Sequence, residues 1–253
     1  MNYNKIAEIL DSAAFKAKAT SQLSHQQSMN LEEAYAIQSI SMSRRYRRGE
    51  KWVGLKMGFT SKAKMEQMGI HDLIWGRLTD KMHIKDGAQL KLSSHIHPRA
   101  EPEIAFLLND IKLEQLNVET VKSKVKAVTI AIEVIDSRYE NFKFSLEDVI
   151  ADNCSSAGYA LGKWLPVSTN IQDVKISLSI NDEIVQAGNS NAILGNPWES
   201  LVAAVRLAKE NGESLGEDSI ILAGAATPAV YLKLNDEVSA TANGLGAVSF
   251  SVK

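Results

Sequence analysis

Three carboxylates hold the clearest chemistry in this sequence. Glu101 and Glu103 stand two residues apart at the head of an apolar run, Ala100-Glu101-Pro102-Glu103-Ile104-Ala105-Phe106. In a strand, residues i and i+2 face the same side, so both carboxylates share one face. Glu133 lies inside Val128-Thr129-Ile130-Ala131-Ile132-Glu133-Val134-Ile135, which otherwise reads as a strand buried on both sides. A glutamate there needs a partner, and like charges side by side repel unless something positive sits between them. One divalent cation answers both problems. Three carboxylates without a thiolate form a hard-oxygen set, suited to Mg²⁺ or Mn²⁺ rather than Zn²⁺. Such an ion, left with open positions, can accept a 2-oxo acid through its carboxylate and keto oxygen and act as a Lewis acid.

Other residues invite weaker readings. His95 and His97 flank the acidic strand at i, i+2, but a structural role is favoured because the three glutamates suffice as ligands. Cys154 has no base beside it in sequence, so it is not read as a nucleophile. Met57, Met65 and Met68 read as packing. Asp136 and Arg138 follow Glu133 closely and are expected either to support the site or to pair with each other. Gly224 to Thr227 can supply backbone donors near a ligand, or can be an ordinary turn at a strand end.

Composition narrows the classes. An apolar share of 45% in 253 residues is ordinary for a soluble chain with a real core. A net charge of −2 gives no basic footprint for nucleic acid. Arg44, Arg45, Arg47 and Arg48 crowd one probable helix end, where they read as a solvated complement to the helix dipole. A lone cysteine excludes an internal disulfide and fits a reducing compartment. No signal peptide or membrane span is read, so the expectation is a cytoplasmic protein.

The elements that must position the glutamates follow from periodicity. Residues 4–18 show helical spacing, and Asn30 with Glu33 forms a capping box that opens a helix to about Arg48. Trp52 to Ser61 reads as a strand whose glycines mark close backbone approach. Ser61 can cap a short helix to Met68, and Trp75 to Asp80 reads as a loop. Pro102 removes a ladder donor, so its strand must be an edge or bulged there. Lys112 to Lys124 reads as a helical insertion, and 199–209 as an amphipathic helix. Hairpins are expected around Asn181-Asp182 and Asn243-Gly244. The fold class is α+β: a helical N-terminal region over residues 1–80, then a mixed, mostly antiparallel β-roll or barrel over residues 81–253.

Four motifs occur in order: Gly54-Leu55-Lys56-Met57-Gly58-Phe59-Thr60-Ser61, Pro98-Arg99-Ala100-Glu101-Pro102-Glu103, Glu133-Val134-Ile135-Asp136-Ser137-Arg138 and Ala151-Asp152-Asn153-Cys154-Ser155. Together they resemble the 2-keto-4-pentenoate hydratase / 4-oxalocrotonate decarboxylase family of the fumarylacetoacetate hydrolase superfamily. Gly54 to Gly58 and Ser137 to Phe144 look closer to its decarboxylase branch, while Pro98-Arg99-Ala100-Glu101 and Ile104-Ala105-Phe106 look closer to the hydratases. The resemblance implies a fumarylacetoacetate hydrolase C-terminal-like roll with Mg²⁺ or Mn²⁺ held by Glu101, Glu103 and Glu133. It also implies an active-site lysine at Lys56, an acidic partner at Asp80 and a serine at Ser155. The activity it implies is decarboxylation of 4-oxalocrotonate, with hydration of 2-hydroxypenta-2,4-dienoate at the same site as the alternative. A small 2-oxo acid is the implied partner, with self-association and a complex with a pathway hydratase also implied. On the residues alone, a strand-end surface lysine is the favoured reading of Lys56, a turn cap is open for Asp80, and turn chemistry is the commoner reading of Ser155.

Overall fold

The structure is a computed structural model and describes residues 2–24, 28–60, 73–111 and 115–253. Asn2 caps α1 (Tyr3–Lys16) through the Lys5 amide, and the expected capping box of Asn30 and Glu33 opens α2 (Leu31–Arg47). The apolar spacing of α1 buries Ile6, Ala7, Leu10 and Ala13 against α2. The arginine cluster is less solvated than its spacing suggests. Asp11, buried on α1, takes Arg44 at 3.0 Å and Arg48 at 2.5 Å, while Arg45 reaches Glu50 at 2.9 Å. Arg44 and Arg48 therefore tie the helix pair together instead of only complementing a dipole.

The remaining chain is mostly strand. In order come β1 (Trp52–Gly58), β2 (Ile74–Thr79), β3 (His83–Ile84), β4 (Gln89–Leu90), β5 (Arg99–Leu108), β6 (Val125–Ile135) and β7 (Ser156–Leu161). Next are β8 (Leu165–Pro166), β9 (Lys175–Ile180), β10 (Glu183–Asn189), β11 (Ile220–Ala225), β12 (Val230–Tyr231), β13 (Glu237–Ala242) and β14 (Gly246–Val252). A nine-stranded mixed sheet runs β2-β1-β11-β5-β6-β7-β3, with β12 beside β5 and β8 beside β6. A five-stranded sheet runs β10-β9-β13-β14-β4. Pairing is antiparallel except for β1 with β11, β3 with β7 and β14 with β4. β1 and β2 enter the large sheet through β11, so that sheet draws on residues before and after position 80.

Each strand of the large sheet sends alternate side chains to opposite faces. One face carries Leu55, Ile104, Phe106, Ile130, Ile132 and Val134, which join the main core with the five-stranded sheet and the helix Pro197–Glu210. The other carries Lys56, Leu222, Ala105 and Ala131, placed side by side by the register Lys56↔Leu222, Leu222↔Ala105 and Glu103↔Ala131. A small cluster there, with Met42, Leu78, Met82 and Tyr159, brings α2 over that face.

Two local readings are corrected. Trp75 to Asp80 is not a loop: residues 74–79 form the fully buried strand β2. Gly76 and Arg77 hide its periodicity, yet Gly76 is needed, since a Cβ there would stand 2.5 Å from the Asn153 carbonyl oxygen. Pro102 is in an interior strand. Its carbonyl accepts from Ala226, on the side where β11 slips register between Leu222 and Ala225. The irregularity that proline requires is thus in the neighbouring strand. Both expected hairpins form, and Asn181 and Asp182 adopt positive φ at their turn. The helix expected after Ser61 lies outside the described residues. The insertion resolves as a short helix, Val118–Lys122, capped by Asn117.

Candidate metal centre

The register of β5 and β6 sets Glu101 directly opposite Glu133, with Glu103 one pleat along on the same face. Carboxylate oxygens of the three lie within 4.8 Å of one another. All three are buried, Glu103 and Glu133 completely. Like charges directly opposite across a ladder destabilise it, so the arrangement needs compensation. Part comes from Lys56, buried on β1, whose Nζ lies 3.0 Å from Glu133 Oε2. Part comes from the backbone: Gly224 N donates to Glu103 Oε2 at 2.7 Å from the slipped segment of β11. Gly224 has φ of +104°, and a Cβ there would strike Thr60 at 2.4 Å, so glycine alone suits the position. Within Gly224 to Thr227, the Gly224 amide thus serves a glutamate.

The electrostatics follow from burial. Desolvation raises Glu103 well above the ordinary carboxylate range, and Glu133 and Glu101 push the same way. Desolvation also raises Glu133, to about 7, against the lowering pull of Lys56. For Lys56, burial disfavours the ammonium, but Glu133 and then Glu101 outweigh it and hold its pKa above the usual lysine value. In this arrangement the ammonium form of Lys56 is held by the carboxylates beside it. One oxygen each of Glu103 and Glu133 is buried with no hydrogen-bond partner among the described residues. Unsatisfied buried carboxylate oxygens are costly, and a hard cation among them would relieve that cost. The donor set fits Mg²⁺ or Mn²⁺.

The structure brings Lys56 to the three glutamates but does not pair it with Asp80. Lys56 faces Gly76 across β1 and β2, so Asp80 sits four residues further on, roughly 13 Å along a strand. The Asp80 carboxylate instead accepts from the Lys51 amide at 2.8 Å. Ser155 is buried, and its Oγ has no partner among the described residues. It ends a turn in which Asn153, Cys154 and Ser155 all have positive φ, at 50°, 51° and 59°. Three successive non-glycine residues in that region store about 1–3 kcal/mol each, strain that persists where the surroundings impose it. Asn153 fixes the turn on β2, accepting from Arg77 N at 2.7 Å and donating to its carbonyl at 2.9 Å. Cys154, within electrostatic reach of Lys56 and Glu133, donates to the Trp75 carbonyl, and burial pushes its thiol up to about 12. That environment suits an inert thiol.

Asp136 and Arg138 do not pair through their carboxylate and guanidinium. Asp136 accepts from the amides of Ile96 and His97, both at 2.8 Å, and so pins the approach to β5. Arg138 clasps Asp152 and the carbonyls of Asp136 and Ser156, holding the left-handed turn to the end of β6. Met57 packs in the main core, on the face opposite Lys56. Sequence reasoning passed over Arg99, which shares its strand parity with Glu101 and Glu103; that i−2 spacing was the available signal.

Comparison with known proteins follows the same lines. Residues 64–253 match the family described as fumarylacetoacetate (FAA) hydrolase C-terminal. A 4-oxalocrotonate decarboxylase of Pseudomonas sp. is 47% identical over 253 residues, covering 99% of this chain and 98% of that protein. A 2-keto-4-pentenoate hydratase of Paraburkholderia xenovorans (strain LB400) is 36% identical over 224 residues, covering 87% of this chain and 83% of that one. The solved 4-oxalocrotonate decarboxylase of Pseudomonas putida G7, complexed with magnesium and adipate, superposes with a TM-score of 0.95 at 32% identity. It covers 99% of this chain and 97% of its own. The chain belongs to the fumarylacetoacetate hydrolase C-terminal family.

Proposed function

We propose that the chain is a metal-dependent carbon–carbon lyase. It would decarboxylate 4-oxalocrotonate (2-oxo-3-hexenedioate) to 2-hydroxypenta-2,4-dienoate and CO₂, in meta-cleavage aromatic catabolism. The observation that carries this reading is the convergence of Glu101, Glu103 and Glu133, with two buried oxygens unpartnered among the described residues, beside the Lys56 Nζ. The decarboxylase relatives and the magnesium-bound structural neighbour support the choice of reaction.

Glu101, Glu103 and Glu133 would hold Mg²⁺ or Mn²⁺, which when bound supplies Lewis acidity toward a chelating 2-oxo acid. In the substrate the C5–C6 bond breaks, and its electron pair becomes the C4–C5 double bond. The C3–C4 pair moves to C2–C3, and the keto pair goes onto the C2 oxygen, which is then protonated. Lys56, buried beside Glu133, is placed to stabilise negative charge growing next to it. The buried hydroxyl of Ser155 can donate to the substrate acid. Asp80, through the Lys51 amide, braces the junction of β1 and β2. The apolar wall of Leu222, Ala105, Ala131 and Tyr159 limits water at the reacting chain.

The hydratase relatives support a second reading on the same residues: addition of water to 2-hydroxypenta-2,4-dienoate. Self-association, or a complex with a pathway hydratase, belongs to the proposal too. Among the described residues, β10 ends its sheet as an edge that exposes Ile184 and Val185. A cytoplasmic location is likewise proposed; no helix among the described residues is long and apolar enough to cross a membrane. The test is direct. With Mg²⁺, 2-oxo-3-hexenedioate should release CO₂ stoichiometrically with the dienol. Turnover of 2-hydroxypenta-2,4-dienoate without CO₂ from the dicarboxylate would replace this reading with the hydratase.

A further inference from the structure

The rim of the glutamate face carries a guanidinium whose hydrogen-bonding capacity the protein only partly uses. Arg99 opens β5, two residues before Glu101, and the register is unbroken from Arg99↔Ile135 to Glu101↔Glu133. Arg99, Glu101 and Glu103 therefore leave the same side of the strand. The Arg99 Cζ lies 3.8 Å from the centre of the Phe142 ring and 4.0 Å from that of Tyr231, so two aromatic faces grip it. Tyr231 is its neighbour on β12, and one Nη donates to the Tyr231 hydroxyl. Among the described residues Nε is buried without an acceptor, and no carboxylate pairs with the group. His97, whose ring centre is 5.1 Å from that of Phe142, has a buried Nε2 that is likewise unpartnered.

A guanidinium stacked only for packing would still find acceptors for its donors, because leaving them unmade is costly. An anion arriving at the clamp would supply them. The clamp also fixes the guanidinium plane beforehand, so little side-chain freedom is lost when a carboxylate docks. Position fits as well. Arg99 stands about 7 Å along the strand from Glu101. The two carboxyl carbons of an extended six-carbon diacid are separated by about 6 Å. Lys56 approaches from the other direction, in the row of Ala105 and Leu222, so the two cations bracket the glutamates along β5.

We propose that Arg99, gripped by Phe142 and Tyr231, binds the distal carboxylate of the substrate and sets a preference for a six-carbon 2-oxo dicarboxylate over a monocarboxylate. This rests on the reading of the three glutamates as a chelating site for a 2-oxo acid. The distal carboxylate is also the group that leaves as CO₂, and it loses its charge as it goes. Its contact with Arg99 is therefore stronger before the reaction than during it, which makes Arg99 an element of selection and not of acceleration.

The experiment uses the full chain with saturating Mg²⁺ and calorimetry with two saturated analogues, 2-oxohexanedioate and 2-oxohexanoate. Wild type should favour the dicarboxylate by roughly 10- to 100-fold, the worth of a charge-assisted pair. Arg99→Gln should bring that ratio near one, and with 2-oxo-3-hexenedioate the loss should appear in KM more than in kcat. Tyr231 is 52% exposed, so Tyr231→Leu provides a second variant if Arg99→Gln does not fold; it should lower the ratio part of the way. An unchanged ratio in whichever variants fold overturns the proposal. Equal binding of both analogues to wild type also overturns it while leaving the glutamate site intact. If neither analogue binds wild type with Mg²⁺, the chelating site itself is refuted and Arg99 loses its role with it.

Discussion

The two faces of β5 and β6 are built from alternating residues of the same strands, yet they do opposite things. On one face Ile104, Phe106, Ile130 and Ile132 are fully buried against the second sheet. Each such side chain contributes about 1.5–3 kcal/mol by leaving water. On the other face, one residue away, Glu103 and Glu133 are equally buried and raised in pKa, which means that their charged forms are disfavoured. The sheet thus holds a destabilised polar centre rigidly because its reverse side is a well-packed core. That is a physical reason for building a site on strands instead of loops: a one-residue step separates what stabilises from what reacts.

The largest effect expected from this comparison is on activity. Glu133→Gln removes a proposed ligand and the partner of Lys56, and should reduce turnover by about 10³-fold or more, since a Lewis acid supplies several kcal/mol. Wild type at 100 times the cation's Kd should gain about 2.7 kcal/mol of stability from Mn²⁺, which EDTA reverses. Glu133→Gln should lose that thermal shift. A variant that keeps both turnover and the shift would break the assignment of this face. On the opposite face, Ile132→Ala should leave the shift in place and lower the unfolding free energy by about 2–5 kcal/mol, read by denaturant titration. If instead Ile132→Ala abolishes Mn²⁺ binding in folded protein, the two faces are not separable.

Much of this was legible in the sequence because strand parity is simple. The spacing of Glu101 and Glu103 and the isolation of Glu133 in an apolar run were enough to bring three carboxylates together. What was not legible depended on long-range placement. The partner of Lys56 is set by β11 lying between β1 and β5, a parallel connection that no local pattern records. β2 was hidden because Gly76 and Arg77 break its alternation for the sake of contacts with Asn153 and Glu213. Pro102 signalled irregularity correctly, but could not say that the neighbouring strand would carry it.

The smallest effect concerns the layer that covers the site, and it has the opposite electrostatic sign. Burial favours the neutral form of Asp11, but hydrogen bonds from Arg48 and Arg44 outweigh this and hold its pKa below the ordinary aspartate value. A carboxylate lowered on folding adds stability above its unfolded pKa and loses it as pH falls through the folded one. Asp11 therefore stabilises the α1–α2 pair at neutral pH, and that contribution fades only below about pH 4. With both arginines about a third exposed, solvent screening keeps the effect near 1 kcal/mol. Asp11→Asn should lower the melting temperature by about 2–4 °C at pH 7. Near pH 3 the difference from wild type should shrink, while Mn²⁺ binding at pH 7 stays intact. A variant that instead loses Mn²⁺ binding would show that the helical layer shapes the cation site, and does more than cover it.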